Sequence, residues 1–287
     1  MPEQDEIVGV RHGAAPPSFW NEDKSIRRLL SAIGRPAFYG EMLDCLGDIC
    51  GAEHVHVFLL EGAKPQVLSE LSRDGSAIAV RQSQVYLRDN LWLHDDDMLQ
   101  GSRVEVEGPR LFQFDSERSG PSEIGNFYRR QDLRERLMLF GRGPFGTVGL
   151  SMLRPTERGV LGPEDGRRLG CASELVFPMI IKHLEAINQS QRMIQALTSL
   201  AIIEHLIALA PEKLPRREQQ VAARLLYGLS ASSIAVDLGI GQQTAQTHRK
   251  RLYERLAISC HRELLIWYLD LYSRVGGDIV DRLRSPD

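Results

Sequence analysis

Two glycines, Gly228 and Gly239, divide the stretch 217–256 into three short runs that each read as a helix. The first, 217–227, puts Val221, Leu225 and Leu226 on an inward side and is stopped by Gly228. Ser230 suits the N-cap of the second, 231–238, which buries Ile234, Ala235 and Leu238. Gly239 breaks that run, Ile240 can plug the gap between helices, and the third helix follows over 242–256. Two short helices meeting across a tight glycine turn meet the physical requirement of a helix-turn-helix. The third helix must then project from the body to enter a major groove ~12 Å wide.

The chemistry of the third run suits that role. It carries Arg249, Lys250, Arg251 and Arg255 against one acid, Glu254, so positive charge gathers where phosphates would lie. Gln242, Gln243, Gln246 and Thr247 can hydrogen-bond to base edges, glutamine suiting adenine and a threonine methyl suiting thymine. Val221, Leu252 and Leu256 read as core. The competing interpretation is a helix with a solvated basic face and no nucleic-acid partner.

At this point a family resemblance is carried by many spaced positions. Leu214-Pro-Arg-Arg-Glu218, Gly228-Leu-Ser230, Ile234-Ala235, Leu238-Gly-Ile240, Thr244-Ala-Gln-Thr-His-Arg-Lys250 and Leu256-Ala-Ile-Ser259 resemble the DNA-binding domain of LuxR-type (GerE-like) regulators. The resemblance implies that Gln246, Thr247 and Lys250 read bases, with Gln243 beside them. It sets Thr244, His248, Arg251 and Arg255 on or near phosphate-facing positions, and the charge of Arg249 adds it to that set. Glu218 matches the family's structural acid, and a fourth helix from His261 through Leu264, Trp267 and Leu271 matches a dimerisation surface. Three positions depart from the family pattern: Gly241 where a capping Ser is usual, Ala245 for Val, and Ala257 for Gly. Gly in place of Ser weakens the cap by a few tenths of a kcal/mol. None of the three removes a charge. The implied partners are double-stranded DNA with a palindromic operator and a second copy of the chain, since one module reads too few base pairs. RNA polymerase is a further partner to consider.

The remaining totals are compatible with this. A length of 287 residues suggests two domains, and 43% hydrophobic residues allow a full core. The 35 basic and 38 acidic residues nearly cancel, so a basic module has to be found locally. Cys45, Cys50, Cys171 and Cys260 form no CxxC or His/Cys cluster and read as buried reduced thiols. No signal peptide and no apolar run of ~20 residues is present, which implies a soluble cytoplasmic protein with no membrane contact.

Residues 1–21 read as a flexible N-terminal arm. Residues 24–33 and 37–50 show helical periodicity, the second with Phe38, Met42, Cys45 or Leu46, and Ile49 on one face and Gly51 as its stop. Strands are expected at 54–60, 66–72, 103–107, 110–114, 133–142 and 146–154, with a short helix at 122–131. Between 76 and 120 the periodicity otherwise fades. Pro163, Glu164 and Asp165 open a long helix whose inward side includes Leu169, Ala172, Val176 and Ile180, and Pro178 should kink it. This order predicts an α+β sandwich, an antiparallel sheet with helices, which resembles the GAF/PAS-like architecture over 24–187. The expected layout is a sensory or dimerising domain over 22–190, a helical linker over 191–213, and an all-α tetrahelical helix-turn-helix domain over 214–287.

The function of the first domain is open between a ligand receptor and a domain that only dimerises. No phosphorylatable receiver pattern is present. The acyl-homoserine-lactone pocket pattern of spaced Trp and Tyr followed by Asp-Pro is not matched, because Tyr86, Asp89 and Trp92 come in the wrong order and lack the proline. Tyr86, Trp92, Phe112, Phe114, Tyr128 and Phe140 flank the expected sheet and could wall a small-molecule pocket, or simply fill a core. The run His94-Asp-Asp-Asp97 reads as a solvated loop or helix N-cap before it reads as a metal site. His54 and His56 share a strand face without a third ligand. A P-loop, a nucleophile elbow and His/Cys metal spacing are all missing, and Gly141-Arg-Gly143 lacks the helix a phosphate loop requires, so neither a catalytic site nor a cofactor is expected.

Overall fold

The computed structural model describes residues 24–282, without 62–63, 102, 104–107 and 144; for 277–282 only the backbone is described. The expected arm lies outside the described residues, as does the expected strand at 103–107 apart from Arg103, which sits in a turn. The chain divides into two compact units, Met1–Ile187 and Asn188–Asp287.

The first unit is built on a five-stranded antiparallel sheet of order β2-β1-β5-β4-β3. Its strands are β1 (His54–Leu60), β2 (Gln66–Ser72), β3 (Arg110–Asp115), β4 (Leu133–Gly143) and β5 (Gly146–Pro155). Period-two alternation sends neighbouring residues to opposite faces. Val55, Val57, Leu137, Leu139, Leu150 and Met152 join one apolar layer with α1 (Lys24–Ser31), α2 (Phe38–Cys50) and the start of α6 (Pro163–Thr198). Phe58, Met138, Phe140 and Leu153 join the other with α3 (Ile78–Arg88), α4 (Asp96–Gly101) and α5 (Glu123–Arg130). The result is the expected α+β sandwich. Gly51 ends α2 in the left-handed region at φ 71°, a conformation that suits a residue without Cβ. Pro178 lies inside α6, which is one helix across it.

Two helices stand where periodicity faded. The inner face of α3 is Ala79, Gln82, Ser83 and Tyr86, so half of its buried positions are polar and no apolar stripe marks it. The six residues of α4 are too few for a period to be visible. His54 and His56 are a satisfied pair: His54 Nδ1 meets Ser72 Oγ, and His56 Nε2 donates to the Ala79 carbonyl, each at 3.0 Å. Of the cysteines, Cys45 and Cys50 are buried, Cys171 is half-buried and Cys260 is exposed, which corrects the expectation that all four are core. The exposed one sits in the turn before the last helix, where no layer covers it.

The second unit is helical: α7 (Leu200–Ala208), α8 (Arg216–Leu226), α9 (Ala231–Leu238), α10 (Gln242–Leu256) and α11 (His261–Arg282), with the end of α6. One core joins Ala196, Ile203, Leu206 and Ile207 to Leu214, Val221, Leu225, Ile234, Ala245, Leu252, Leu264 and Tyr268. Residues from the stretch 191–213 therefore pack within this core. Tyr268 donates to the Ala196 carbonyl at 2.6 Å. Among the described residues no helix is long and apolar enough to cross a membrane.

Candidate nucleic-acid interface and a buried ionic cluster

The turn between α9 and α10 is set by local chemistry. Ser230 caps α9 by accepting from the Ser233 amide at 3.1 Å, and Gly239 ends it at φ 64°. The Ile240 amide returns to the Ala235 carbonyl at 2.9 Å, which closes the turn. Gly241 precedes α10 with no side-chain cap.

Helix α10 has one buried side and one open side. Ala245 and Leu252 are fully buried, and Leu256 and Ile258 are partly so. Gln243, Gln246, Thr247 and Lys250 are exposed and follow the i, i+3, i+4, i+7 spacing of a single helical face. Thr247 Oγ1 donates to the Gln243 carbonyl at 2.9 Å, which turns its methyl away from the helix turn. Lys250 lies 3.8 Å from Glu254. Thr244, Arg249, Arg251 and Arg255 are exposed, and His248 is half-buried. Arg249 lies over the Tyr253 ring at 5.9 Å, and this stacking holds its stem to the helix. Arg255 Nε donates to Glu218 Oε2 at 2.9 Å, and the Glu218 side chain is 6% exposed. That ion pair braces α10 against α8. The helix ends on Ala257, whose φ of 54° is a left-handed conformation held by a residue with a Cβ.

A second polar centre lies inside the first unit. Arg136 is on the same face of β4 as Met138 and Phe140, with 1% of its side chain exposed. Both its terminal nitrogens donate to Asp95, Nη2 at 2.8 Å, and Nη2 also reaches Asp97 at 2.7 Å. Nη1 is 3.1 Å from the Tyr128 hydroxyl, and Tyr86 donates to Asp95 at 2.6 Å. The guanidinium carbon lies 5.3 Å from the ring centres of Phe114 and Tyr128. Burial works to raise the Asp95 carboxyl, but the Arg136 charge and the hydrogen bonds it receives outweigh that and hold it below the usual carboxylate range. Burial likewise raises the Tyr128 hydroxyl to about 12, which keeps it neutral.

All six aromatics singled out in the sequence belong to this apolar layer. Tyr86 and Tyr128 also line a small cavity, while Phe112 packs edge-on against Phe140 and Phe114 covers Arg136. Trp92 is partly buried. The acidic run is no solvated loop at Asp95, which caps α4 through the Met98 amide and is 2% exposed. Arg136 and Gln82 were not found from sequence. The available signal was an arginine on the apolar face of a strand beginning Leu133-Arg-Glu-Arg136, together with an unplaced run of acids. Among the described residues no group of three His, Cys, Asp or Glu could hold a metal ion.

Residues 212–268 match the family model described as bacterial regulatory proteins, luxR family. An HTH-type transcriptional regulator in the exeN 3' region of Aeromonas salmonicida is 31% identical over 180 residues, 59% of this chain and 90% of that protein. The transcriptional regulatory protein UhpA of Escherichia coli is 40% identical over 53 residues, 18% of this chain and 27% of its own. Among solved structures, the VqsR LBD domain of Pseudomonas aeruginosa aligns with a TM-score of 0.46 at 20% identity, covering 59% of this chain and 98% of that one.

Proposed function

Because this chain belongs to the luxR family of bacterial regulatory proteins, we propose that it is a homodimeric, sequence-specific transcriptional regulator controlled by a small-molecule effector in its first unit. The observation that carries the DNA part is the open face of α10. Gln243, Gln246, Thr247 and Lys250 share it, all exposed, while Ala245 and Leu252 anchor the opposite side. An α-helix presenting glutamine amides, a threonine methyl and an ammonium in that order has donors, acceptors and an apolar point for major-groove edges. Thr244, His248, Arg249 and Arg251 flank the face and supply phosphate contacts that position it. Arg255 serves first as the brace to Glu218, and its contribution to phosphate binding comes second.

Two copies bound to a palindrome give the reading enough base pairs, with α11 as the surface that joins the helical units. The aromatic and polar interior of the first unit supports an effector, because it combines buried walls with few polar groups. Cytoplasmic location and contact with RNA polymerase go with this reading.

Selection of a binding sequence from random duplexes, followed by titration of the full chain at two salt concentrations, tests the DNA part. A single enriched palindrome bound as a dimer supports it. Equal affinity for enriched and random duplexes removes sequence-specific regulation. Native mass spectrometry of the purified protein tests the effector part, where a bare dimer whose DNA affinity no extract fraction alters would remove it.

A further inference from the structure

Glu254 is the one acid in α10, and it stands in the last turn of that helix. Two general effects disfavour it there. The helix dipole repels an anion near its C-terminal end. In a groove-bound pose the first turns of the helix lie on base edges, and Glu254 follows Gln243 by eleven residues, about 16 Å along the axis. That exceeds the ~12 Å groove, so the carboxylate faces the phosphate rim and loses affinity there. Stability does not account for it either. Its ion pair is with Lys250, at 3.8 Å, with side chains 63% and 79% exposed respectively. An exposed i,i+4 pair adds little to a helix, least of all with the cation first in sequence.

What the pair changes is the reach of Lys250. A lysine is a flexible four-carbon stem with three donor hydrogens, and left alone it swings to any phosphate nearby. Restraint of this kind recurs along the helix. Arg249 lies over the Tyr253 ring, and Arg255 is bound to Glu218. Drawn toward Glu254, the Lys250 ammonium stays over the face it shares with Gln246 and Thr247, with donors left for O6 and N7 of a guanine. On a duplex without a guanine at that place, Lys250 has to leave Glu254 to gain a phosphate. The carboxylate is then left unpaired beside the rim.

We infer that Glu254 is a positioning residue for DNA specificity: it holds Lys250 in a guanine-reading pose and withholds it from phosphates, so random duplexes are bound weakly. The inference rests on the DNA reading above and adds a residue to it. The test uses the full-length protein with the selected palindrome and with random duplexes of equal length. Fluorescence anisotropy titrations run from about 50 to about 200 mM salt. Glu254→Gln, Lys250→Ala and the double variant are compared with the natural chain, and Tm of each is measured.

Glu254→Gln is expected to bind random duplexes about 5- to 30-fold more tightly, as one or two new phosphate contacts per dimer do, with a salt dependence steeper by about one counterion for each. Affinity for the palindrome is expected to change by about twofold or less, so the specificity ratio falls. In the Lys250→Ala background the same exchange is expected to give about twofold or less on random duplexes, with no change of slope. A full-sized gain in that background overturns the inference, because the carboxylate then acts on phosphates by itself. A lowered Tm for Glu254→Gln overturns it in favour of a structural role. A natural chain that prefers the palindrome, with a specificity ratio that Glu254→Gln leaves intact, overturns this inference alone. A natural chain that binds both kinds of duplex equally removes the DNA reading as well, so the two fail separately.

Discussion

Arg136 and Asp95 are joined by two hydrogen bonds across the interior of the first unit, with 1% of each side chain exposed. A buried charge pair of this kind is costly to assemble and more costly to break, because removing one partner strands the other away from water. Asp95→Ala should therefore destabilise the chain by about 3–5 kcal/mol. The joint replacement Asp95→Leu with Arg136→Met should recover much of that loss. Urea unfolding of the single and double variants checks this. A single variant within 1 kcal/mol of the natural chain would show that the pair is not held as described.

Gly101 brings α4 close to β4. A Cβ built at that position would lie 2.3 Å from the Phe140 ring, and Phe140 is fully buried. Gly101→Ala has to move either the ring or the helix that follows Asp95, an overpacking that costs about 1–3 kcal/mol. Near-ultraviolet circular dichroism should change with it, since the shift falls on an aromatic cluster. An unchanged spectrum and midpoint would count against the close approach.

The His56 imidazole is lowered from 6.5 to about 4 by burial, partly offset by its bond to the Ala79 carbonyl. The unfolded chain therefore binds the proton first as pH falls. Stability from the neutral ring is present above about pH 6.5 and is lost on descending toward about pH 4, a change on the order of 3 kcal/mol. His56→Gln, which keeps an N–H donor for Ala79, should flatten that part of the stability profile. Denaturant midpoints measured across this window would expose a wrong sign or an absent slope.

Ala257 ends α10 with φ 54°, a position where glycine avoids the Cβ clash. Ala257→Gly should stabilise the helical unit by about 1 kcal/mol, where the same exchange inside a helix would destabilise. The residue is exposed, so no packing is lost. A fall in Tm would mean that the left-handed turn is not adopted.

Lys250 and Arg255 are both exposed cations on α10, but they differ in what they touch. Lys250→Ala should cost about 1–3 kcal/mol on the selected sequence if it reads a base, with a smaller loss on random DNA. Arg255→Ala should lower the stability of the domain and weaken all duplexes alike, because it releases the nearly buried Glu218 carboxylate. Paired titrations on selected and random duplexes separate the two patterns.

The helical unit was legible because its signals are local. Ser230, Gly239 and the apolar spacing of Val221, Ile234 and Leu252 each act within a few residues of the chain, and the helices α8, α9 and α10 follow them. The sheet was legible for the same reason where strands alternate, as in β1 and β4. Helix α3 was not, since Gln82 and Ser83 occupy its inward side and no apolar stripe could announce it.

By itself, the chain order determined an α+β sandwich followed by a helix-turn-helix, together with which side chains α10 turns outward. Caps, breakers and periodicity are properties of neighbours. Only the tertiary structure decided that Asp95 is buried against Arg136, 41 positions away, and that Gln82 faces a cavity with its amide unpaired among the described residues. Those facts depend on how β4, α3 and α4 close on one another. Coulomb attraction and desolvation act through space, so the pattern along the chain could mark Arg136 and the acidic run as unusual but could not pair them.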